Sequence, residues 1–281
     1  MSTETTVITI LVDNRGAPGL VTEHGLSLHI RTAGHNLLFD TGQSDACTIN
    51  SRILGLDLGE IDAIVLSHGH YDHTGGLAQV LGLARRAEMY CHPAAVSPRY
   101  AVRDHQPKPL HMPRPSMAAL DRLPEERLHW VQQSMQLAAT IGLSGPIPRQ
   151  TACEDTGGPF FLDTGGHRPD PIDDDLALWI DTPTGLVVCV GCAHAGLVNT
   201  LVQVQRLTGG RPIRAVIGGF HLLSANERRL RATIDALRTL APEAIIPCHC
   251  TGEAAVAALS AAFGNRCHPG HAGLRCQYDA G

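Results

Sequence analysis

The sequence predicts an α/β sandwich in which β-sheets lie inside and helices cover their outer faces. Two observations indicate this class: apolar runs of strand type alternate with helical segments, and the alternation occurs once in each half of the chain. Such alternation is typical of layered α/β domains. The 281 residues are enough to bury a substantial core. We therefore predict a single domain, residues 1–281, interrupted by one irregular insert.

The first half opens with predicted strands. Apolar runs at 7–12, 26–30 and 37–39 are separated by glycine and polar turn residues, which favours an antiparallel meander. The continuous apolar run at 61–66 is typical of a buried strand. The segment 77–86, after a histidine cluster, has helical spacing.

The second half repeats the alternation of strand and helix. Apolar residues in its helical segments recur three or four positions apart, as on one face of a helix. The predicted elements are strands at 186–190, 213–217 and 244–246, and helices at 196–207, 226–240 and 253–263.

The insert, at about 97–171, has a poor pattern because eleven prolines interrupt it. Long irregular segments in a compact domain are usually lids or binding loops. A solvated excursion without function is the other interpretation, and the sequence favours neither. The four histidines of the insert are mostly expected to be solvated.

Composition excludes several classes of protein. With 43% hydrophobic and 17% charged residues the chain is globular, and its net charge of −5 without a basic run argues against nucleic acid or an anionic membrane as partner. No secretory signal is visible, and no window approaches the roughly 18 to 20 apolar residues of a membrane span. We expect a cytoplasmic protein that acts on a small molecule, with its nine cysteines as thiols.

The strongest chemical signal is a cluster of metal-type side chains after the strand at 61–66: His68, His70, Asp72 and His73. His68 and His70 are two residues apart, so in extended backbone they point to the same side. Asp72 and His73 follow at the turn into a helix. Imidazole and carboxylate suit zinc, iron or manganese. Four such side chains in six residues make a chance histidine-rich loop a poor explanation.

This motif resembles the signature of the metallo-β-lactamase superfamily. The motif at 38–42, LFDTG, resembles the early Asp-Thr-Gly motif of that superfamily, and Asp40 would support the metal loop from behind. The segments LVDN, EHGLS, LSHGHYDHTGGL, GCAHAG, GGFHL and HCTG, in this order, narrow the resemblance to dihydropterin-ribofuranosyl-aminobenzene-phosphate synthase-like metallohydrolases. The resemblance spans about residues 7–265. It implies an αββα sandwich of two mixed sheets flanked by helices.

The resemblance also implies a site with two divalent metal ions, zinc first, with manganese and iron as other options. The ligands it implies for the first ion are His68, His70 and His194. Those for the second are Asp72, His73 and His249.

The sequence departs from the superfamily where a bridging aspartate is usual, because the matching pair is Gly191-Cys192. Three hypotheses stay open: Cys192 bridges the ions, His194 takes the place of the aspartate, or a carboxylate from 173–175 contributes. A thiolate bridge would favour softer metals.

Two further histidines are candidates for the active-site rim. His221 follows an apolar strand, and we favour substrate contact or proton transfer over metal binding; a structural role is equally compatible with the sequence. His24, next to Glu23, is either a substrate-binding residue or part of a surface turn. Cys248 and Cys250 flank His249 and are expected to be packed thiols, since no second cysteine pair accompanies them.

The implied reaction is hydrolysis of an ester, lactone or phosphoester by metal-activated water. Asp72 would orient the nucleophile as well as bind metal, and His221 would protonate the leaving group. The subgroup implies an alternative, a transferase that joins a dihydropterin methyl diphosphate to a ribosyl-aminobenzene phosphate and uses the metals to bind diphosphate. A non-catalytic metal or ligand sensor on the same fold is the third hypothesis.

Overall fold

The structure is a computed structural model that describes residues 5–279. Its strands are β1 (Thr6–Val12), β2 (Ser27–Thr32), β3 (His35–Phe39), β4 (Ala63–Val65), β5 (Glu88–Cys91), β6 (Tyr100–Arg103), β7 (Gln106–Pro109), β8 (Leu128–Trp130), β9 (Met135–Ala138), β10 (Ile141–Leu143), β11 (Phe160–Phe161), β12 (Ala177–Thr182), β13 (Gly185–Val190), β14 (Ile213–Gly219), β15 (Ala244–Cys248) and β16 (Arg275–Tyr278). The helices are α1 (Ala46–Ile53), α2 (Tyr71–Thr74), α3 (Leu77–Leu83), α4 (Arg114–Leu120), α5 (Leu197–Leu207), α6 (Glu227–Leu240) and α7 (Glu253–Phe263).

Two mixed sheets form the centre of the molecule. The first has seven strands in the order β16-β1-β2-β3-β4-β5-β8, antiparallel up to β3 and parallel from β3 to β8. The second has six strands in the order β15-β14-β13-β12-β10-β9, with parallel pairing only among β13, β14 and β15. Every strand predicted from the sequence is present, with shifts of a few residues at its ends.

Three apolar clusters lie between the layers. Alternate residues of the two sheets, such as Ile10, Phe39, Val187 and Ile217, meet in the central cluster. The opposite face of the second sheet packs against α5, α6 and α7, and the opposite face of the first sheet packs against α1, α3 and α4. The layer order is therefore helix, sheet, sheet, helix, which confirms the predicted αββα class.

The segment 97–171 is more regular than the sequence predicted. Its strand β8 extends the first sheet, and β9 and β10 extend the second. Only β11, β6 and β7 form a separate small sheet. The sequence did not predict these strands because they have two to four residues, too few for a clear period. Two of the prolines, Pro107 and Pro109, lie in the edge strand β7, where a missing N–H is tolerated.

Among residues 5–279, no helix combines the length and the apolar character needed to cross a membrane.

His29 in β2 gives the fold a pH dependence that is independent of the metal-type residues. Its side chain is buried, and burial, with smaller contributions from Arg31 and Arg275, lowers the pKa of His29 from 6.5 to about 4. As pH falls below 6.5 the unfolded chain binds a proton that the folded chain does not, so stability is lost between pH 6.5 and 4. Between pH 7 and pH 4.5 the free energy of unfolding should fall by about 2 kcal/mol less in the variant His29→Gln than in wild type.

Urea unfolding of metal-free protein at the two pH values measures this difference. His105→Gln, in an exposed turn, is the matched control and should follow wild type. Equal pH dependence in all three proteins would contradict a depressed pKa at His29.

Candidate metal centre

The metal-type residues of the sequence meet at one edge of the two sheets. His68 and His70 follow β4, and α2 begins directly after His70, which brings Asp72 and His73 back toward the same point. Cys192 and His194 follow β13, His221 follows β14, and His249 follows β15. Because β13, β14 and β15 are parallel neighbours, the loops at their carboxyl ends lie side by side.

Four groups of side chains in this region have ligand atoms that all lie within 4.8 Å of one another. Two of them each contain two of the three ligands predicted for one ion, and these two groups share one thiol; His70 is in none of the four groups, and Asp72 is in the group with His24. The groups are His68–Cys192–His194, His73–Cys192–His249, Cys192–His221–Cys250 and His24–Asp72–His249. Cys192 therefore lies between the two predicted ligand sets, where the bridging hypothesis puts it, and His194 lies in one set only.

The hydrogen bonds of four histidines fix which ring nitrogen faces the centre. Nδ1 of His194 lies 2.8 Å from the carbonyl oxygen of Thr156, and Nδ1 of His73 lies 2.7 Å from a carboxylate oxygen of Asp40. Both oxygens only accept, so Nδ1 donates and Nε2 is the ring nitrogen that faces the centre. His249 has the same arrangement with Asn14 Oδ1 at 2.8 Å. Anchored Nδ1–H groups are typical of metal-binding histidines.

In His68, too, Nδ1 is the donor, and the acceptor is the hydroxyl oxygen of Ser67. The hydroxyl of Ser67 donates to Asp40 Oδ2 at 2.6 Å, so it accepts from Nδ1 of His68 at 2.9 Å. Nε2 of His68 then faces Nδ1 of His70 at 3.0 Å.

The donor set fits a metal. Among the described residues, Nε2 of His70 and Nε2 of His194 are buried without a hydrogen-bond partner, and Nε2 of His249 faces the Asp72 carboxylate at 3.2 Å. A buried polar atom without a partner is costly, and a bound cation would satisfy these lone pairs. Nitrogen ligands with one thiol and one carboxylate suit zinc first, with iron and manganese as further options.

Four buried aspartates hold the loops that carry these ligands. Each accepts a backbone N–H at or next to a predicted ligand. The pairs are Asp40 with Ser67 at 2.7 Å, Asp174 with Gly69 at 2.7 Å, Asp175 with Ala195 at 2.6 Å and Asp13 with His249 at 2.7 Å. These carboxylates hold the backbone of the ligand loops in place, although they are not themselves members of the ligand groups.

The hydrogen bonds of these aspartates argue against the hypothesis that a carboxylate from 173–175 bridges the two ions. Asp174 is occupied by the Gly69 amide and by an ion pair with the buried Arg99, 2.9 Å away. Asp175 is turned to the Ala195 amide, and Asp173 is exposed. None of the three belongs to a ligand group of the described residues. Asp174 and Asp175 therefore support the ligand loops, and neither lies in the position of a bridging ligand.

The charges of the histidines follow from burial and neighbours. Burial and the adjacent histidines hold the pKa of His68 well below its usual value, and the same holds for His194. Both are therefore neutral, the form that binds metal. Burial opposes a charge on His73, but the carboxylates of Asp40 and Asp72 outweigh it and raise the pKa of His73 to about 9 in the metal-free protein.

The backbone is strained at the same residues. Asp40, Ala193, His221 and His249 all have positive φ, between 47° and 61°. For residues other than glycine this conformation is rare and costs on the order of 1 kcal/mol or more. Four of the nine non-glycine residues with positive φ in the described part of the chain therefore lie where the ligand loops turn, and such strain is often found at functional sites.

A cavity of about 460 Å³ opens in front of the ligand groups. His24 and His221, the two predicted rim residues, both line it. His24 is half-exposed, and its Nε2 lies 3.2 Å from Asp72 Oδ2. His221 is mostly buried, and its Nε2 lies 3.3 Å from the carbonyl oxygen of Gly157.

Sequence reasoning missed part of the cavity wall. Cys250, expected to be a packed thiol, lines the cavity and lies in a ligand group with Cys192 and His221. Cys248 is packed as expected, with its thiol 3.4 Å from the Ile246 carbonyl oxygen. The position of Cys250 could have indicated its role, because it is the second residue after a strand whose end faces the site. Phe160 and the β6–β7 hairpin, from the segment 97–171, were also missed.

A family model described as the metallo-beta-lactamase superfamily matches residues 22–249. The chain belongs to the metallo-β-lactamase superfamily. The match includes the predicted ligands from His68 to His249 and the supporting Asp40, and the αββα layers are those of this superfamily.

Two proteins similar to this one match most of the chain. One is a 7,8-dihydropterin-6-methyl-4-(β-D-ribofuranosyl)-aminobenzene-5′-phosphate synthase of Methanocaldococcus jannaschii, 30% identical over 82% of this chain and 81% of the relative. The other is a solved structure described as a metal-dependent hydrolase of the β-lactamase superfamily, with a TM-score of 0.84 and 30% identity, covering 98% of this chain and 99% of the other. A diphosphatase structure, at 13% identity and a TM-score of 0.55 over 99% of this chain and 98% of the other, shares the fold.

Proposed function

We propose that this protein is a metal-dependent hydrolase with a binuclear centre that acts on an ester, lactone or phosphoester. One observation carries the proposal: two groups of metal-type side chains share Cys192 and face the same cavity. His68, His70 and His194 would hold one ion, with zinc first. Asp72, His73 and His249 would hold the other, with Cys192 between the two.

Two bound ions supply an activated water near neutral pH and stabilise negative charge that develops on an oxygen. The protein's own residues do the rest. Asp72 lies within 3.2 Å of both His24 Nε2 and His249 Nε2 at the cavity wall, and its carboxylate would orient the nucleophile. His221 would give a proton to the leaving group, because it lines the cavity and its ring is held by the Gly157 carbonyl.

The same cavity supports a second candidate, a transferase of the kind named in the Methanocaldococcus jannaschii relative. The 30% identity over 82% of this chain favours it. In that reaction the ions would bind a leaving diphosphate. Product formation from a dihydropterin methyl diphosphate and a ribosyl-aminobenzene phosphate distinguishes the transferase from the hydrolase.

We also propose a reducing compartment, the cytoplasm, as the place of action. The support is that all nine cysteines are free thiols, and seven of them are buried.

The experiment that tests the hydrolase is metal analysis by plasma mass spectrometry, combined with turnover of 4-nitrophenyl acetate and bis(4-nitrophenyl) phosphate. Wild type should hold about two ions per chain. His70→Ala removes a buried ring that belongs to the centre, so bound metal should fall to about one ion or less and turnover by at least ~100-fold.

The matched control is His167→Ala, whose side chain is 84% exposed; it should keep both the metal and the turnover of wild type. Wild-type protein that takes up no metal on reconstitution would refute the proposal. Protein that holds two ions but turns over neither ester nor the pterin substrates would favour the sensor hypothesis.

A further inference from the structure

The β6–β7 hairpin presents two cations to the cavity in front of the metal centre. In its register Ala101 lies opposite Lys108, and Arg103 lies opposite Gln106. Side chains alternate along a strand, so these four residues share one face of the hairpin, and all four line the cavity. Arg103 and Lys108 are diagonal neighbours on that face, a spacing of about 7–8 Å between Cα atoms. Lys108 is the only lysine of the sequence.

The hairpin is attached directly to the loop that carries the metal-type residues. The N–H of Tyr71 donates to the carbonyl oxygen of Leu110 at 2.8 Å, and His70 and His111 form an isolated β-bridge. The ammonium of Lys108 lies 3.5 Å from the hydroxyl of Tyr71 and 5.4 Å from the centre of its ring. The two cations therefore have a fixed relation to the metal centre.

Neither cation is neutralised within the part of the chain that the structure describes. No ion pair within 4.0 Å involves Arg103 or Lys108 there, although ion pairs are formed by six other arginines. The acidic residue that lines the cavity is Asp72, which the proposed centre uses as a ligand. Two like charges on one face repel each other, and an anion between them would remove that repulsion.

We propose that Arg103 and Lys108 bind a phosphate group of the substrate, away from the bond that is cleaved. This inference rests on the proposed function for the position of the reacting atoms. A guanidinium and an ammonium make charge-assisted hydrogen bonds to phosphate oxygens. Phe160, Leu110 and Leu223 on the cavity wall would accept the apolar part between the phosphate and the metal centre. The substrate class is thus an organic phosphate with an apolar body.

The test is calorimetric binding of phenyl phosphate to the zinc-loaded protein at low ionic strength. The double variant Arg103→Gln/Lys108→Gln should bind it at least ~30-fold more weakly, because two charge-assisted contacts are lost. The single variant Arg103→Lys keeps the positive charge, so its affinity for phenyl phosphate should lie between those of wild type and the double variant. The control is Arg122→Gln/Arg228→Gln, two exposed arginines outside the cavity, which makes the same change in net charge.

Unchanged binding in the hairpin variant, or equal weakening in both double variants, would overturn the inference. Benzoate bound as tightly as phenyl phosphate would overturn the phosphate class. The failure of this inference can be distinguished from the failure of the hydrolase proposal. Hairpin-dependent binding without any turnover would refute the hydrolase alone, whereas turnover of 4-nitrophenyl acetate with hairpin-independent binding would refute this inference alone.

Discussion

Replacing Cys192 by alanine should remove the shared ligand and lower bound metal from about two ions to one or less. Cys192 is buried, and its thiol lies 3.1 Å from Nε2 of His73. It belongs to both of the groups that each contain two of the three ligands predicted for one ion. Loss of one ion removes the activation of water that needs both, so hydrolysis should fall by about 10³-fold, or ~4 kcal/mol in the barrier.

Two further variants make this expectation specific. Cys192→Asp supplies the carboxylate that is usual in the superfamily and should restore a second ion, with a preference shifted from soft metals toward manganese or iron. Cys153→Ala, a half-buried cysteine outside the ligand groups, should leave metal and turnover unchanged. Two ions and normal turnover in Cys192→Ala would show that the bridge is not the thiol.

Much of the fold was predictable because its strands and helices carry strong patterns. The run at 61–66 and the helix at 253–263 have apolar residues at the spacing their burial requires. The segment 97–171 was not predictable to the same degree. A strand such as β10, three residues long, gains its stability from the strands beside it and has no pattern of its own.

The candidate ligands were predictable for a different reason. Metal chemistry uses few residue types, and their clustering at strand ends is visible without a structure. Residues that act through the backbone are not visible in this way. Asp174 reaches the Gly69 amide across 105 positions of sequence, and nothing in the local sequence distinguishes it from the exposed Asp173 beside it. The same limit hid the cavity-facing side of the β6–β7 hairpin, which depends on register.

Removing the Asp40 carboxylate should be the most destabilising single change in this site. Asp40 is completely buried and accepts three hydrogen bonds, from the amide and hydroxyl of Ser67 and from Nδ1 of His73. Asp40→Ala leaves these donors buried without a partner, and the charge on His73 without its counter-ion. Such a loss costs about 3–5 kcal/mol, which urea unfolding of the metal-free protein measures.

The variant Asp40→Asn separates the shape of this side chain from its charge. It keeps the volume and one acceptor but places an amide N–H₂ among donors, so it should cost less than Asp40→Ala in stability while weakening metal binding by about 10- to 100-fold. Asp235→Ala, which breaks an exposed ion pair with Arg238, should stay within about 0.5 kcal/mol of wild type. A loss below about 1 kcal/mol in Asp40→Ala would mean that the Ser67 and His73 donors find other partners. The buried carboxylate would then not be what holds the metal loop in place.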